Sequence, residues 1–418
     1  MSIQIDMRQM VLLIAGSIGL VGVDDVLHGR RVAILAVQCA ARLGWDQAAR
    51  SLLLDAGLLH DIGVSSTRVH RTLVNEMDWA ESGLHCEKGS LLLKSSSRLA
   101  HLAPIVLHHH THWDDLQQQG IDPDLALHAN LIYLADRVDA IARPFYPDDS
   151  VLMHVEEISS RIERHRGTFF APELVDAFIE AARAEAFWMV LDPQCIPGFL
   201  SEMELQTDEQ RLSLDELKEL AHVLAEIVDA KSHFTSEHSL SVANLTRYIA
   251  GHFDISGERL DYLHVAALMH DLGKLQIPDE LLESTQHLVP LELVKMKRHS
   301  FATYQLLNGV TGMEELARWA SQHHESLDGS GYPFRRSAEE LSIESRIIKV
   351  ADIYQALAQD RPYRKPLAAP EILSHLRQIQ TESKVDPVLV DFVEQNLDSC
   401  HWAATGGRSL RGEHVIQY

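Results

Sequence analysis

Apolar residues recur at helical spacing through most of this chain. The pattern is clear over 32–43, 52–60, 125–138, 173–188, 214–228, 240–250 and 260–272. Alternating runs of β-branched residues are nearly absent, so the predicted fold is all-α. Ser213, with Glu216 three residues on, predicts a capped helix start. Between Asp192-Pro193 and Pro197-Gly198 the helical pattern breaks, and a polar stretch follows up to Arg211. These features predict a first domain over 1–190, a linker over 191–212 and a second domain over 213–418. The apolar run 10–23 is too short to span a membrane and closes on Asp24 and Asp25. It lacks a basic leader and a small-residue cleavage site, and reads as a buried first helix.

The two halves repeat one another. Leu27-His28-Gly29 and Leu59-His60-Asp61 recur 210 residues further on as Glu237-His238-Ser239 and Met269-His270-Asp271. His85 matches His299, and His109-His110 matches His323-His324, both at 214. Asp136 matches Asp352 at 216, so the offset drifts as small insertions would make it drift. The predicted architecture is therefore two tandem helical bundles.

Composition narrows the chemistry. With 37 Lys and Arg against 60 Asp and Glu, the formal charge is −23, which argues against coating DNA, RNA or an anionic membrane. A phosphate ligand would need local positive charge or metal. The 4 cysteines are scattered with no C-x-x-C, which reads as a reducing cytoplasm without a disulfide framework. The 25 histidines, by contrast, cluster.

In the second half, His238, His270, Asp271, His299, His323, His324 and Asp352 form a nitrogen and oxygen donor set suited to iron, manganese, zinc or nickel. Seven donors exceed the need of one ion. Asp271 has two oxygens and could bridge a pair about 3.5–4 Å apart, the usual clamp for phosphoester hydrolysis. On a continuous helix His270 and Asp271 would point about 100° apart, while Lys274 would share the face of His270 and meet a phosphate or protonate a leaving oxygen. Arg361 and Arg364 offer bidentate forks, and Tyr332 or Tyr363 a stacking surface.

His270-Asp271-Leu272-Gly273-Lys274, together with His323-His324-Glu325-Ser326-Leu327-Asp328-Gly329-Ser330-Gly331-Tyr332-Pro333, resembles the signatures of HD-GYP domains, the phosphodiesterase branch of the HD superfamily. The likeness spans about 215–400 and includes Ile277-Pro278-Asp279, Lys297-Arg298-His299 and Arg361-Pro362-Tyr363-Arg364. The resemblance implies an HD-type helical bundle with two divalent metals, iron or manganese first and then nickel or zinc. It implies hydrolysis of a cyclic dinucleotide, cyclic di-GMP first and 3',3'-cyclic GMP-AMP second, to the linear dinucleotide and onward to mononucleotide in some members. Carried over by position, His238, His270, Asp271 and Asp352 would bind one metal, and His299, His323 and His324 the other, with Asp271 bridging. Asp271 and Lys274 would be catalytic. Lys274, Glu325, Asp328, Gly329, Gly331, Tyr332, Pro333, Arg361 and Arg364 would line the substrate.

Two departures stand out. Gln355 occupies a position where the family often has aspartate, which weakens the expected hydrogen bond to a ligand residue or to substrate. Phe234 stands where members with three metals have glutamate, which favours two. The first half resembles a plain HD domain with a second candidate metal site at His28, His60, Asp61, His85, His109, His110 and Asp136. Val64 replaces Lys274, Thr111 replaces Glu325 and Gln117 replaces Gly331, so this half reads as catalytically silent and regulatory, with cleavage of another phosphoester as the alternative. Other readings of the whole are a non-catalytic dinucleotide sensor, docking a signalling partner or a second copy, and a nucleotide phosphohydrolase.

Overall fold

The structure is a computed structural model that describes residues 4–22, 25–79, 81–205, 210–232, 237–360 and 364–406. Phe234, Arg361 and Tyr363 lie outside the described residues, as does Asp24. Every regular element among the described residues is helical, in keeping with the all-α expectation.

The chain divides into two compact units, Asp6–Gln210 and Arg211–Tyr418, the latter including Met1–Ile5. The first contains α1 (Met7–Gly19), α2 (His28–Arg42), α3 (Gln47–Leu59), α4 (Thr67–Asn75), α5 (Ser82–Lys94), α6 (Ala103–His108) and α7 (Trp113–Gln118). It continues with α8 (Pro123–Ala142), α9 (Val155–Glu163), α10 (Pro172–Ala181), α11 (Glu185–Met189) and α12 (Ile196–Leu205). The second contains α13 (Leu214–Asp229), α14 (His238–Ala250), α15 (Glu258–Leu268), α16 (Asp279–Leu282), α17 (Pro290–Asn308) and α18 (Glu314–Ser321). After these come α19 (Ile343–Ala358), α20 (Ala369–Thr381), α21 (Pro387–Gln395) and α22 (Leu397–Thr405).

In the first unit α2 is the central helix. No side chain from Val32 to Val37 is more than 3% exposed, because α3 and α8 cover it on different sides. In the second unit α14 takes the same place against α15 and α19, with Val242, Ala243, Leu245 and Ile249 fully buried. Helix α13 begins where the sequence predicts. The Ser213 side chain accepts from the Glu216 amide, and the Glu216 carboxylate accepts from the Ser213 amide. The run 10–23 is likewise the buried helix α1 and the turn after it. No helix among the described residues is long and apolar enough to cross a membrane.

Three expectations need correction. The stretch 191–212 is not a linker throughout: α12 lies within it, burying Ile196, Leu200 and Met203 in the first unit, which runs to Gln210. Pro197 is tolerated because it falls in the first turn of a helix, where its missing N–H is not needed. The pattern over 173–188 is two helices, the indole N–H of Trp188 donating to the Ala182 carbonyl between them. Helix α15 stops at Leu268, before His270 and Asp271, and a 3₁₀ turn follows over Leu272–Gln276. The 100° separation expected of a continuous helix therefore does not apply.

Candidate metal centre

Each donor of the second unit sits at a helix end or on a buried face. His238 is the first residue of α14, and His270 and Asp271 occupy the turn after α15. His299 lies within α17, His323 and His324 follow α18, and Asp352 lies in α19. The turn after α15 packs so closely on α17 that a Cβ on Gly273 would come within 2.0 Å of the His299 carbonyl oxygen. A Cβ on Gly63 in the first unit would meet the His85 carbonyl at the same 2.0 Å. Glycine is required here by close approach, and the contact brings the second histidine cluster against the first.

All seven donors converge. Asp271 faces both groups of imidazoles. Its Oδ2 lies 3.2 Å from His270 Nε2 and 3.4 Å from His238 Nε2, and its Oδ1 lies 3.7 Å from both His299 Nε2 and His323 Nε2. Asp352 Oδ1 is 3.4 Å from His238 Nε2. His324 joins His299 and His323 in one potential ligand group, as His238 and His270 join Asp352 in another.

The backbone fixes how these rings point. His270, His299 and His323 each donate Nδ1–H to the carbonyl three residues earlier, on Ala267, Met296 and Ala320, at 2.7, 2.6 and 2.6 Å. This leaves Nε2 without the ring proton and aimed into the cluster. Burial pushes His299 down to about 4 and, with His270 nearby, His323 down to about 3, so both rings are neutral at pH 7, as metal ligation requires. Burial opposes charge on Asp271, but His270 and Lys274 outweigh it and hold the carboxyl well below the usual range. His238 Nε2, His270 Nε2 and Asp271 Oδ1 are buried polar atoms without a hydrogen-bond partner. Buried polar atoms are normally satisfied. Bare imidazole nitrogens and a bare carboxylate oxygen converging on one space fit a divalent cation.

Several supports were not legible as site residues. Gln355 Oε1 accepts the Nδ1–H of His238, so the glutamine keeps the supporting role that its identity put in doubt. Asp229 accepts from the Ser239 amide at 3.0 Å and from the Ser239 hydroxyl at 2.7 Å, clamping the first turn of α14 beside His238. The 210-residue offset places Gly19 and Gly29 at these positions in the first unit, so the clamp is absent there.

The loop after His324 forms a lip, with its Tyr332–Pro333 bond cis. Tyr332 stacks on His324 at 4.8 Å between centroids, and Lys297 Nζ lies 5.2 Å from the Tyr332 ring centre. A Cβ on Gly331 would come within 2.4 Å of the Glu325 backbone, so the chain closes on itself there. Glu325 is corrected from its expected substrate-lining role. Its buried carboxylate accepts from the amides of Phe334, Arg335 and Arg336 at 2.6, 3.1 and 2.9 Å, which orders the lip instead. Asp328 is exposed and holds the turn through the Ser330 amide and hydroxyl, just before Gly329 turns with φ 76°. Arg364 is also corrected: its guanidinium caps the end of α19 through the Ala356 and Leu357 carbonyls. Lys274 is half-buried and hydrogen-bonded to Asp271 Oδ2.

The first unit builds the same arrangement with different surroundings. His28 opens α2, His60 and Asp61 follow α3, and Asp61 spans His60 at 3.4 Å and His85 at 3.5 Å. His85 Nε2 is 3.2 Å from His109 Nε2, and His110 Nε2 is 3.6 Å from Asp136. Asp139 stands where the second unit has Gln355. Its carboxylate accepts from His28 Nδ1 at 2.7 Å, Arg31 Nε at 2.6 Å and the Tyr146 hydroxyl at 2.9 Å. Arg137 donates to Asp136 at 2.8 Å and to the Leu73 carbonyl at 2.9 Å, tying α4 to the site. Val64, in the place of Lys274, is buried. The fixed offsets could have revealed Asp139 from sequence. The path of Arg137 to α4 could not be read there.

Comparison with known proteins agrees with this geometry. Two family profiles, both described as HD domain, match residues 26–141 and 222–389. The 3'3'-cGAMP-specific phosphodiesterase 1 of Vibrio cholerae is 34% identical over 397 residues, covering 94% of this chain and 92% of that protein. The cyclic di-GMP phosphodiesterase response regulator RpfG of Xanthomonas campestris is 34% identical over 191 residues, 44% of this chain and 50% of that protein. A crystal structure of a cyclic GMP-AMP specific phosphodiesterase from V. cholerae matches the fold with a TM-score of 0.64 at 22% identity, over 95% of this chain and 98% of that one. With the aligned histidines and aspartates in both units, a relative at 34% identity over nearly its whole length places this chain in the family of HD-GYP cyclic-dinucleotide phosphodiesterases, with a second, degenerate HD domain ahead of the HD-GYP domain.

Proposed function

We propose that the second unit hydrolyses 3',3'-cyclic GMP-AMP, with cyclic di-GMP as the poorer substrate. The observation that carries this reading is the likeness to the V. cholerae enzyme named for that substrate, which runs through both units, whereas the likeness to RpfG covers 44% of the chain. The order of substrates reverses the expectation from the sequence.

In this reading His238, His270, Asp271 and Asp352 would hold one divalent cation, and His299, His323 and His324 with Asp271 would hold another. Iron or manganese suits such nitrogen and oxygen donors first, nickel or zinc next. Bound there, the cations supply Lewis-acid charge against a phosphodiester and make water acidic enough to be a nucleophile near neutral pH. The protein supplies the rest. Backbone carbonyls and Gln355 keep the Nε2 lone pairs aimed inward. Lys274, beside Asp271 at the edge of the donor cluster, would meet the scissile phosphate and give a proton to the leaving ribose oxygen. Tyr332 and Lys297 present an aromatic face and a positive charge at the mouth, which an acidic chain must concentrate locally to hold an anionic substrate.

Purified chain loaded with manganese or iron should linearise 3',3'-cyclic GMP-AMP with a kcat/KM about tenfold or more above that for cyclic di-GMP, a difference of about 1.4 kcal/mol in transition-state binding. Equal turnover would remove the substrate preference. Metal-loaded protein that binds either dinucleotide and cleaves neither would replace the reading with that of a sensor.

A further inference from the structure

The two sites differ at one donor that the hydrolytic reading does not use. Ser300 follows His299 in the second unit, and its hydroxyl lies 3.1 Å from His299 Nε2. The 214-residue offset puts Cys86 at the same place in the first unit, directly after His85. The Cys86 sulfur is 3.8 Å from His85 Nε2, and its ligand atom lies with those of His85 and His109 inside one group spanning no more than 4.8 Å.

We propose that the first unit carries a thiolate-containing metal site of the zinc type, built from His85, Cys86 and His109 with Asp61 as fourth ligand. The hydrolytic reading of the second unit neither requires nor implies this site.

Three donors face one another here, and Asp61 reaches one of them, His85. His109 donates Nδ1–H to the Val106 carbonyl at 2.6 Å, so its Nε2 is a bare lone pair. It points at His85 Nε2 across 3.2 Å, and Asp61 Oδ1 lies 3.5 Å from that same nitrogen. Two ring nitrogens, a carboxylate oxygen and a sulfur are each ligand types that four-coordinate zinc accepts. A second observation points the same way. His60 Nε2, on the other side of Asp61, is buried at 1% exposure and has no hydrogen-bond partner. Asp61 therefore stands between an unsatisfied nitrogen and the sulfur-containing group, as a ligand shared by both would.

The sulfur changes which metal is held. Thiolate favours zinc or other soft and borderline ions over manganese, which prefers oxygen donors. Serine at the matching position leaves the second unit without such a ligand. One chain would thus sort metals between two copies of one fold, zinc in the first and a harder ion in the second. On binding, the Cys86 S–H bond is lost to solvent as a proton and a sulfur–metal bond forms, which gives no redox change. Zinc has no redox chemistry and no lysine stands in the place of Lys274, so the site acts as a fixed cross-link between α5 and the segment after α6.

Cobalt(II) is the probe, because sulfur bound to it gives a charge-transfer band in the near ultraviolet that nitrogen and oxygen ligands do not. Full-length protein stripped with chelator and reloaded with cobalt should show the band, and zinc added afterwards should remove it. Cys86→Ser and His85→Ala should each abolish it. The wild-type spectrum decides the matter even if either variant fails to fold. Cobalt-saturated wild-type protein without the band overturns the proposal, as does a band that survives in folded Cys86→Ser.

Discussion

The two units place the same seven donors on the same helices, yet they surround them differently. In the second, His238 is supported by the neutral amide of Gln355, and in the first His28 is supported by the carboxylate of Asp139. Asp139 is itself held by Arg31 and Tyr146, so the first site sits in a buried network of charges. In the second, a lysine reaches Asp271 and a lip carries Tyr332 stacked on His324. In the first, valine replaces the lysine and α7 occupies the place of the lip, pinned by the Trp113 and Asp114 amides to the Phe169 and Thr168 carbonyls at 3.0 Å each. The donor arrangement is therefore shared between the units, while the groups around it are not. Helix ends supply the ligands, while the loops that follow decide what else can happen there.

Four experiments bear on that contrast. The largest effect should come from the lysine. Lys274→Ala should lower kcat on the order of 10³-fold, a typical loss for a general acid, with metal content retained. An equal loss of bound metal would show that Lys274 holds the site together and does not act on substrate.

Next comes the network around His28. Asp139→Ala leaves the buried Arg31 guanidinium without its main partner and should cost about 3 kcal/mol or more in denaturant unfolding. Gln355→Ala removes only a neutral hydrogen bond to His238 and should cost about 1–2 kcal/mol. Equal losses would mean that the two supports are equivalent after all.

Proton competition should be smaller per pH unit but easy to see. Burial disfavours the His238 cation, but the carboxylates of Asp271 and Asp352, each 3.4 Å from its Nε2, win and raise it from 6.5 to about 9 before a cation arrives. The charged ring then adds stability that is complete below 6.5 and lost as pH rises through about 9. Metal must expel that proton. Affinity at the second unit should therefore rise by up to about tenfold per pH unit across this window and flatten above it. Calorimetry in buffers of different ionisation enthalpy checks it, and binding without proton release would contradict it.

The smallest effect is expected from making one support resemble the other. Gln355→Asp gives His238 the carboxylate that His28 has, and should tighten metal binding by about tenfold, the low end for changes in outer-shell partners. Weaker binding would show that the carboxylate repels Asp352 more than it helps His238.

The sequence by itself determined a good deal. Helical periodicity established the all-α class, the capping box located the start of α13, and the constant offsets between the halves identified both sets of seven donors. These features are local or repetitive, so they survive without knowledge of the fold. What only the tertiary structure decided depends on groups far apart in sequence. Helix α15 ends before His270 because its residues must turn to meet α17, and Gly273 allows that contact. Glu325 and Arg364 carry charges suited to a ligand, yet backbone amides and carbonyls already claim them. Asp229 guards His238 from a neighbouring helix. Which side chain is free to meet a ligand is settled by hydrogen-bond satisfaction across the packed core, and a linear pattern does not record that.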